Sequence, residues 1–390
     1  MAKKEKVSTA YEYQGASALY ELLFALLRRA KEPFPPFRIV ATQFPWRELL
    51  DIIRQERLGG FVYYELMQHE EKAALFPKWF CDELRLNFQR GIARAEAFRR
   101  HYEEIVSAFV QKKVPVLFMR SEALQDTLYP SPGIRYLTDI DIIVRKDDFS
   151  AVRQLLSALR YAGDEHIPHL FKRDGVEVDI HWDESSNWRI DFWPNDVGIN
   201  SKDIWQKAVT VAPTAPNVKK LWVYDEIIVG CGHLQEHSFQ SLVWFMDVRQ
   251  QILREGERFD WLLLLQRAWF YELDQPLYFV LKFLDAQRLL TIPREILKTL
   301  DEANLSPLER LSLNRLLHNQ RQFISGELLY LFKIKAVMER GMFLWRLAEL
   351  MRDDGLLPRQ EIARAAVLLR RWFSLAGAMF RHWRVLRYGR

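Results

Sequence analysis

Residues 135–144 read Arg-Tyr-Leu-Thr-Asp-Ile-Asp-Ile-Ile-Val. Ile140 to Val144 is a short run rich in β-branched residues, as in a buried strand. Successive side chains of a strand alternate faces, so Asp139 and Asp141 project together while Ile140 and Ile142 face the core. Two like charges held that close are unfavourable without a cation between them. The plain alternative is a strand edge with two solvated aspartates. Strands disfavour Asp, and this pair interrupts an otherwise apolar run, so a divalent-metal site is preferred.

Mg²⁺ takes oxygen ligands from a few carboxylates, phosphate and water, so a third carboxylate should converge on the pair. Residues 176–182, Val-Glu-Val-Asp-Ile-His-Trp, alternate with period 2. Glu177, Asp179 and His181 share one face, opposite Val176, Val178 and Ile180. Taken alone this is also an ordinary amphipathic strand. A helix is predicted between the two strands over Asp148 to Leu159, with Phe149, Val152, Leu155, Leu156 and Leu159 as its apolar stripe. Upstream, Val114 to Met119 reads as another strand and runs into Arg120-Ser-Glu-Ala-Leu124. A strand entering a helix through a small polar residue offers backbone N–H groups and a hydroxyl to an anion. Ser121 as a simple helix cap and Arg120 as a surface residue are the alternatives. Tyr129-Pro-Ser-Pro-Gly133 makes a turn, and Arg135, four residues before Asp139, is placed to meet phosphate or to neutralise the carboxylates.

Outward from this segment the period is helical. Leu19, Leu22, Leu23, Leu26 and Leu27, then Leu49, Leu50 and Ile53, then Ile92, Phe98, Ile105 and Phe109 mark an all-helical N-terminal region. Trp46 to Glu56 follows Pro45 and is expected to stop at Gly59-Gly60. From about Asp225 the chain is helical again, with Ser306-Pro-Leu-Glu309 as a capping box. A small mixed sheet embedded between helical regions is an α+β fold. His233 and His237, four apart on a predicted helix, fall on one face. Zinc ligation, a place in the cleft beside Asp247, and plain helix packing all remain open for them. His166 and His169, in the loop before the third strand, are placed either on the acceptor side or in solvent.

The 390 residues are 49% apolar and 27% charged, which describes a globular chain with ample core. No apolar run approaches the roughly 18 residues of a membrane span, and the opening Met-Ala-Lys-Lys-Glu-Lys leads into no signal-peptide pattern. The expectation is a soluble, cytoplasmic protein. Cys81 and Cys231, the two cysteines, exclude a disulfide framework and a cysteine-based zinc site. The net charge is +5, but residues 362–390 hold seven arginines and no acid. They therefore carry +7 and the remainder −2. The body is not basic, which argues against a template-reading polymerase. Arg381, Arg384 and Arg387, interleaved with Trp383 and Tyr388, make a stripe for RNA, an anionic surface or an acidic partner, or a docked helix with a solvated face.

The order of strand, small polar turn and helix, then Arg135-Tyr-Leu-Thr-Asp139-Ile-Asp141, then Val178-Asp179-Ile-His181-Trp182, resembles the DNA polymerase β-like nucleotidyltransferase superfamily. Within it the chain is similar to a bacterial group of uncharacterised nucleotidyltransferases, whose members show a Lys-Gly turn, an R-x-x-x-D-x-D strand and a later carboxylate-x-His-Trp strand. The similarity extends to Trp46 to Leu66, His233 to Asp247 and Asp260-Trp261. It implies Mg²⁺ or Mn²⁺ on Asp139, Asp141 and Asp179, with Asp179 also a base for the acceptor. It implies nucleotide phosphates at Arg120, Ser121 and Arg135, and Glu177, His181, His233 and His237 around the cleft. The implied reaction is transfer of a nucleotidyl group from an NTP to an acceptor such as a sugar, peptide or small molecule, nucleic acid not being favoured. The implied regions are 1–110, helical; 111–222, the nucleotidyltransferase core; and 223–390, helical with the Arg-rich tail. One departure stands out: Arg120-Ser121 replaces the group's Lys-Gly, keeping charge but losing the permissive glycine. It motivates a rival reading, a non-catalytic nucleotide- or partner-binding protein of the same fold.

Overall fold

Three central strands, two of which alternate apolar with polar residues, give the sheet an apolar face and a polar one. In the computed structural model these strands are β1 (Val116–Met119), β2 (Asp139–Val144) and β5 (Val176–Trp182). The structure describes residues 16–28, 44–69, 73–182 and 201–319, apart from 166, 168, 272, 301–304 and 306. Strands β3 (Ala162–Gly163), β4 (Leu170–Arg173), β6 (Val209–Thr210) and β7 (Val218–Lys220) complete a mixed sheet of order β3-β4-β5-β2-β1-β7-β6. β2 runs parallel to β5 and antiparallel to β1, and β1 runs parallel to β7. The chain is an α+β protein.

One face of this sheet is the core. Phe118, Ile140, Ile142, Val144, Val178 and Ile180 are buried together with Phe98, Ile105 and Phe109 of one helix and Val152, Leu155 and Leu156 of another. The first of these, α4 (Lys78–Lys112), follows α1 (Ala16–Leu27), α2 (Trp46–Gln55) and α3 (Gly59–Met67). It buries Phe80, Leu84, Gly91, Ala95, Phe98, Ile105 and Phe109 at helical spacing and ends where Lys113 takes a left-handed conformation. The second is α6 (Phe149–Ala158), which follows α5 (Ser121–Leu128). With both helices on one face, the carboxylates of β2 and β5 lie on the other.

The glycine pair Gly59-Gly60 does not stop α2. The helix ends before Arg57, whose φ is 56°, and Gly59 opens α3. Gly60 is needed for close approach: a Cβ there would lie 2.1 Å from the carbonyl oxygen of Gly133, and one at Gly91 would lie 2.9 Å from the same oxygen. Three glycines thus let α3 and α4 touch the backbone of the loop that leads into β2. Arg94 of α4 adds hydrogen bonds to the Leu137 and Thr138 carbonyls.

Beyond the sheet come α7 (Ser201–Lys207), α8 (Val223–Glu236), α9 (Leu242–Glu255), α10 (Trp261–Phe270), α11 (Asp274–Ala286), α12 (Arg294–Thr299) and α13 (Pro307–Leu317). Glu56, buried past the end of α2, accepts from Tyr20 of α1 and from the Leu242 N–H at the start of α9, so one carboxylate joins three helices. Residues 1–234 with 240–300 form one compact unit, and 235–239 with 301–390 a second. In the latter, Pro307 holds the first position of α13, and the Arg310 side chain donates to the Leu305 carbonyl. Ser306 and the Arg-rich 362–390 lie outside the described residues. No helix among the described residues is long and apolar enough to cross a membrane.

Candidate metal and phosphate site

Register brings the acids together. Asp141 pairs with Asp179 across the parallel β2–β5 ladder, with Asp139 opposite Glu177 and Ile143 opposite His181. Ligand atoms of Asp141, Asp179 and His181 all lie within 4.8 Å of one another. Asp139 is not part of this group. Its Oδ1 accepts from Thr138 Oγ1 at 3.0 Å. His181 reaches back over one rung, placing Nε2 3.2 Å from Asp141 Oδ1.

Arg120 enters from the end of β1. Its Nη2 lies 2.7 Å from Asp141 Oδ1 and its Nε 3.2 Å from Oδ2, so the fork engages both carboxylate oxygens. Burial alone raises the Asp141 carboxyl pKa, but Arg120 and His181 outweigh it and hold it down at about 2. The ionised form is what a cation needs. Asp179 Oδ1 is buried without a hydrogen-bond partner; His169 Nε2 is 3.8 Å from it. Burial lowers the His169 pKa against the pull of Asp179, favouring the neutral imidazole. A buried carboxylate oxygen with no donor, beside an ionised carboxylate and an imidazole nitrogen, fits a divalent cation.

Ser121 opens α5 directly after Arg120, so this helix N-terminus adjoins the carboxylates. Arg120 itself has φ 55° and ψ −134°, a conformation that suits glycine and that other residues adopt only when their surroundings impose it. Glu226 of α8 supplies that constraint: its Oε1 accepts the Arg120 N–H at 2.7 Å. Burial pushes the Glu226 carboxyl up to about 8, against the Arg120 N–H and guanidinium.

Arg135 is committed elsewhere. Its Nε and Nη2 grip both oxygens of Asp247 in α9 at 2.8 to 3.1 Å, with Tyr129 donating to the same carboxylate. Arg135 is 1% exposed; burial opposes its charge, Asp247 outweighs burial, and the pKa is raised. The pair ties the loop before β2 to α9, and losing one partner of such a pair costs about 3–5 kcal/mol. Glu177 is taken up by Lys172 at 3.0 Å on the exposed part of the ladder. His233 stacks edge-on against Trp244, with centroids 4.5 Å apart. His237 lies one residue beyond the end of α8 and is exposed. His166 lies outside the described residues.

A mixed sheet with helices on one face and an Asp-Asp-His group beside a helix N-terminus on the other defines the class: an α+β protein with a candidate divalent-metal site. The model of the family described as uncharacterised nucleotidyltransferase matches residues 42–288, and the chain belongs to that family. No curated protein and no solved structure matches it.

Proposed function

We propose that the protein is a divalent-metal-dependent nucleotidyltransferase that moves a nucleotidyl group from an NTP to a hydroxyl or phosphate acceptor. The observation that carries this is the Asp141–Asp179 rung with His181 Nε2, one Asp179 oxygen being buried without a donor. Asp141, Asp179 and His181 would hold the ion, with Asp139, two rungs along on the same face, as a further carboxylate for a second. Mg²⁺ or Mn²⁺ so held supplies charge neutralisation of the triphosphate and of the departing pyrophosphate. Arg120 and the N–H groups at Ser121 bind phosphate oxygens. Arg135 serves this reading by fixing the loop that carries Asp139. Asp179 takes the acceptor proton as the acceptor oxygen attacks the α-phosphorus, and the bond from that phosphorus to the β-phosphate bridging oxygen breaks. Residues 1–110 would buttress the core at 111–222, and 223–390 would choose the acceptor.

The test supplies the acceptor from cell extract and follows label from α-labelled NTPs. Wild type should transfer label; Asp141→Asn and Asp179→Asn should each lower transfer by on the order of 10²-fold or more, the rate equivalent of several kcal/mol. Transfer that is absent, or undiminished in both variants, sinks the reading and leaves the non-catalytic binder in its place.

A further inference from the structure

The Asp141 carboxylate already has a cation. The Arg120 fork covers both of its oxygens, and the same Nη2 lies 3.3 Å from His181 Nε2. One side chain therefore engages two of the three groups that converge for a divalent ion. A carboxylate oxygen binds such an ion at about 2.0–2.1 Å for Mg²⁺. A guanidinium in bidentate contact and an ion at that distance crowd the same oxygens, and their charges repel at a buried site.

The part of Arg120 that can exchange partners is its side chain. Its backbone is pinned by Glu226 on the N–H and by the Leu124 N–H on its carbonyl. The side chain is long and unbranched, and its planar fork fits phosphate as well as carboxylate. The N-terminus of α5 stands next to it and favours an anion. A triphosphate arriving there would offer Arg120 oxygens of equal geometry and greater charge.

Resting on the reading of this site as one for nucleotidyl transfer, we infer that Arg120 is the resident counter-ion of Asp141. Guanidinium and divalent ion are then alternative partners of one carboxylate, and the ion binds tightly only with a triphosphate that draws Arg120 away. The pinned turn makes the exchange a side-chain rotation about fixed backbone. By linkage, ion and nucleotide each raise the affinity for the other.

The measurement is Mn²⁺ alone, titrated into the full-length protein and followed by the electron paramagnetic resonance of the free ion. Wild type should bind weakly. Arg120→Gln and Arg120→Ala should bind Mn²⁺ tighter by on the order of tenfold or more. Arg120→Lys, which keeps the charge and the fold but lacks the fork, should fall between. Adding Asp179→Asn to Arg120→Gln should abolish the gain, placing the ion at this site. Mn²⁺ binding by the Arg120 variants that is equal to or weaker than wild type overturns the inference, even if label transfer is intact. A gain that survives Asp179→Asn overturns it too. Absence of Mn²⁺ binding throughout, together with absent label transfer, removes the parent reading and the inference with it.

Discussion

Glu226 has no signature in Val223-Tyr-Asp-Glu-Ile227, yet it holds the turn on which the site depends. Its partner is a backbone N–H 106 residues earlier, and no spacing rule encodes such a contact. Its proton makes it measurable. Burial moves the carboxyl from an ordinary value near 4.5 to about 8, so the folded protein keeps a proton that the unfolded chain releases above pH 4.5. The stability tied to that proton is present in full below pH 4.5 and is lost as pH rises to 8, by up to about 5 kcal/mol. Glu226→Gln accepts the same N–H but does not titrate. In urea unfolding, wild type and variant should be close at pH 5, and the variant should be the more stable by several kcal/mol at pH 8.5. Parallel curves across that range would show that Glu226 is not protonated in the fold. Asp141 and Asp179, by contrast, were legible because alternation alone assigns them to one face. Asp139 was legible as to face but not as to rung, because only the β2–β5 register shows that Asp141 faces Asp179 and Asp139 faces Glu177.

At the scale of elements, local pattern found β1, β2 and β5 and the helix between the last two, because β1 is a short continuous apolar run and the others carry their own period. The structure starts β1 at Val116 and matches β5 residue for residue. The short strands β3, β4, β6 and β7 have too few residues to show a period, and their pairing is what makes the sheet wide. Gly59-Gly60 misleads for a related reason: a glycine pair after a helical run looks like a stop, and the distant backbone it must admit is invisible locally. That backbone is the Gly133-Ile134 stretch leading to Arg135. A methyl group at residue 60 would meet the Gly133 and Ile134 carbonyl oxygens at 2.1 and 2.4 Å, contacts that only movement of α3 or of the loop relieves. Gly60→Ala should destabilise by about 1–3 kcal/mol, the range for overpacked sites. It should also weaken Mn²⁺ binding, since the same loop carries Asp139 and Asp141 into β2. Thermal unfolding checks the first effect. Wild-type stability in Gly60→Ala would mean that the helices and loop have slack at this contact.

For the whole molecule, charge and site separate along the chain. The family match ends at residue 288, every residue of the Asp-Asp-His group lies in the first compact unit, and the +7 stretch begins at 362. A stretch of that charge binds polyanions through counterion release or screened attraction, so its affinity falls steeply with salt. The candidate ion site is instead built from one buried and two half-buried groups, which salt screens less than it does an exposed run of charge. Removing residues 362–390 should therefore abolish salt-sensitive retention on RNA or on anionic lipid vesicles while leaving Mn²⁺ affinity within about twofold of wild type, the size of effect expected where two sites act independently. Persistence of polyanion binding in the shortened chain would transfer it to the body, whose net charge of −2 makes it a poor polyanion surface. Loss of Mn²⁺ affinity would show that the arginine-rich end acts on the carboxylates, and would then put the whole chain, rather than residues 42–288 alone, behind the chemistry.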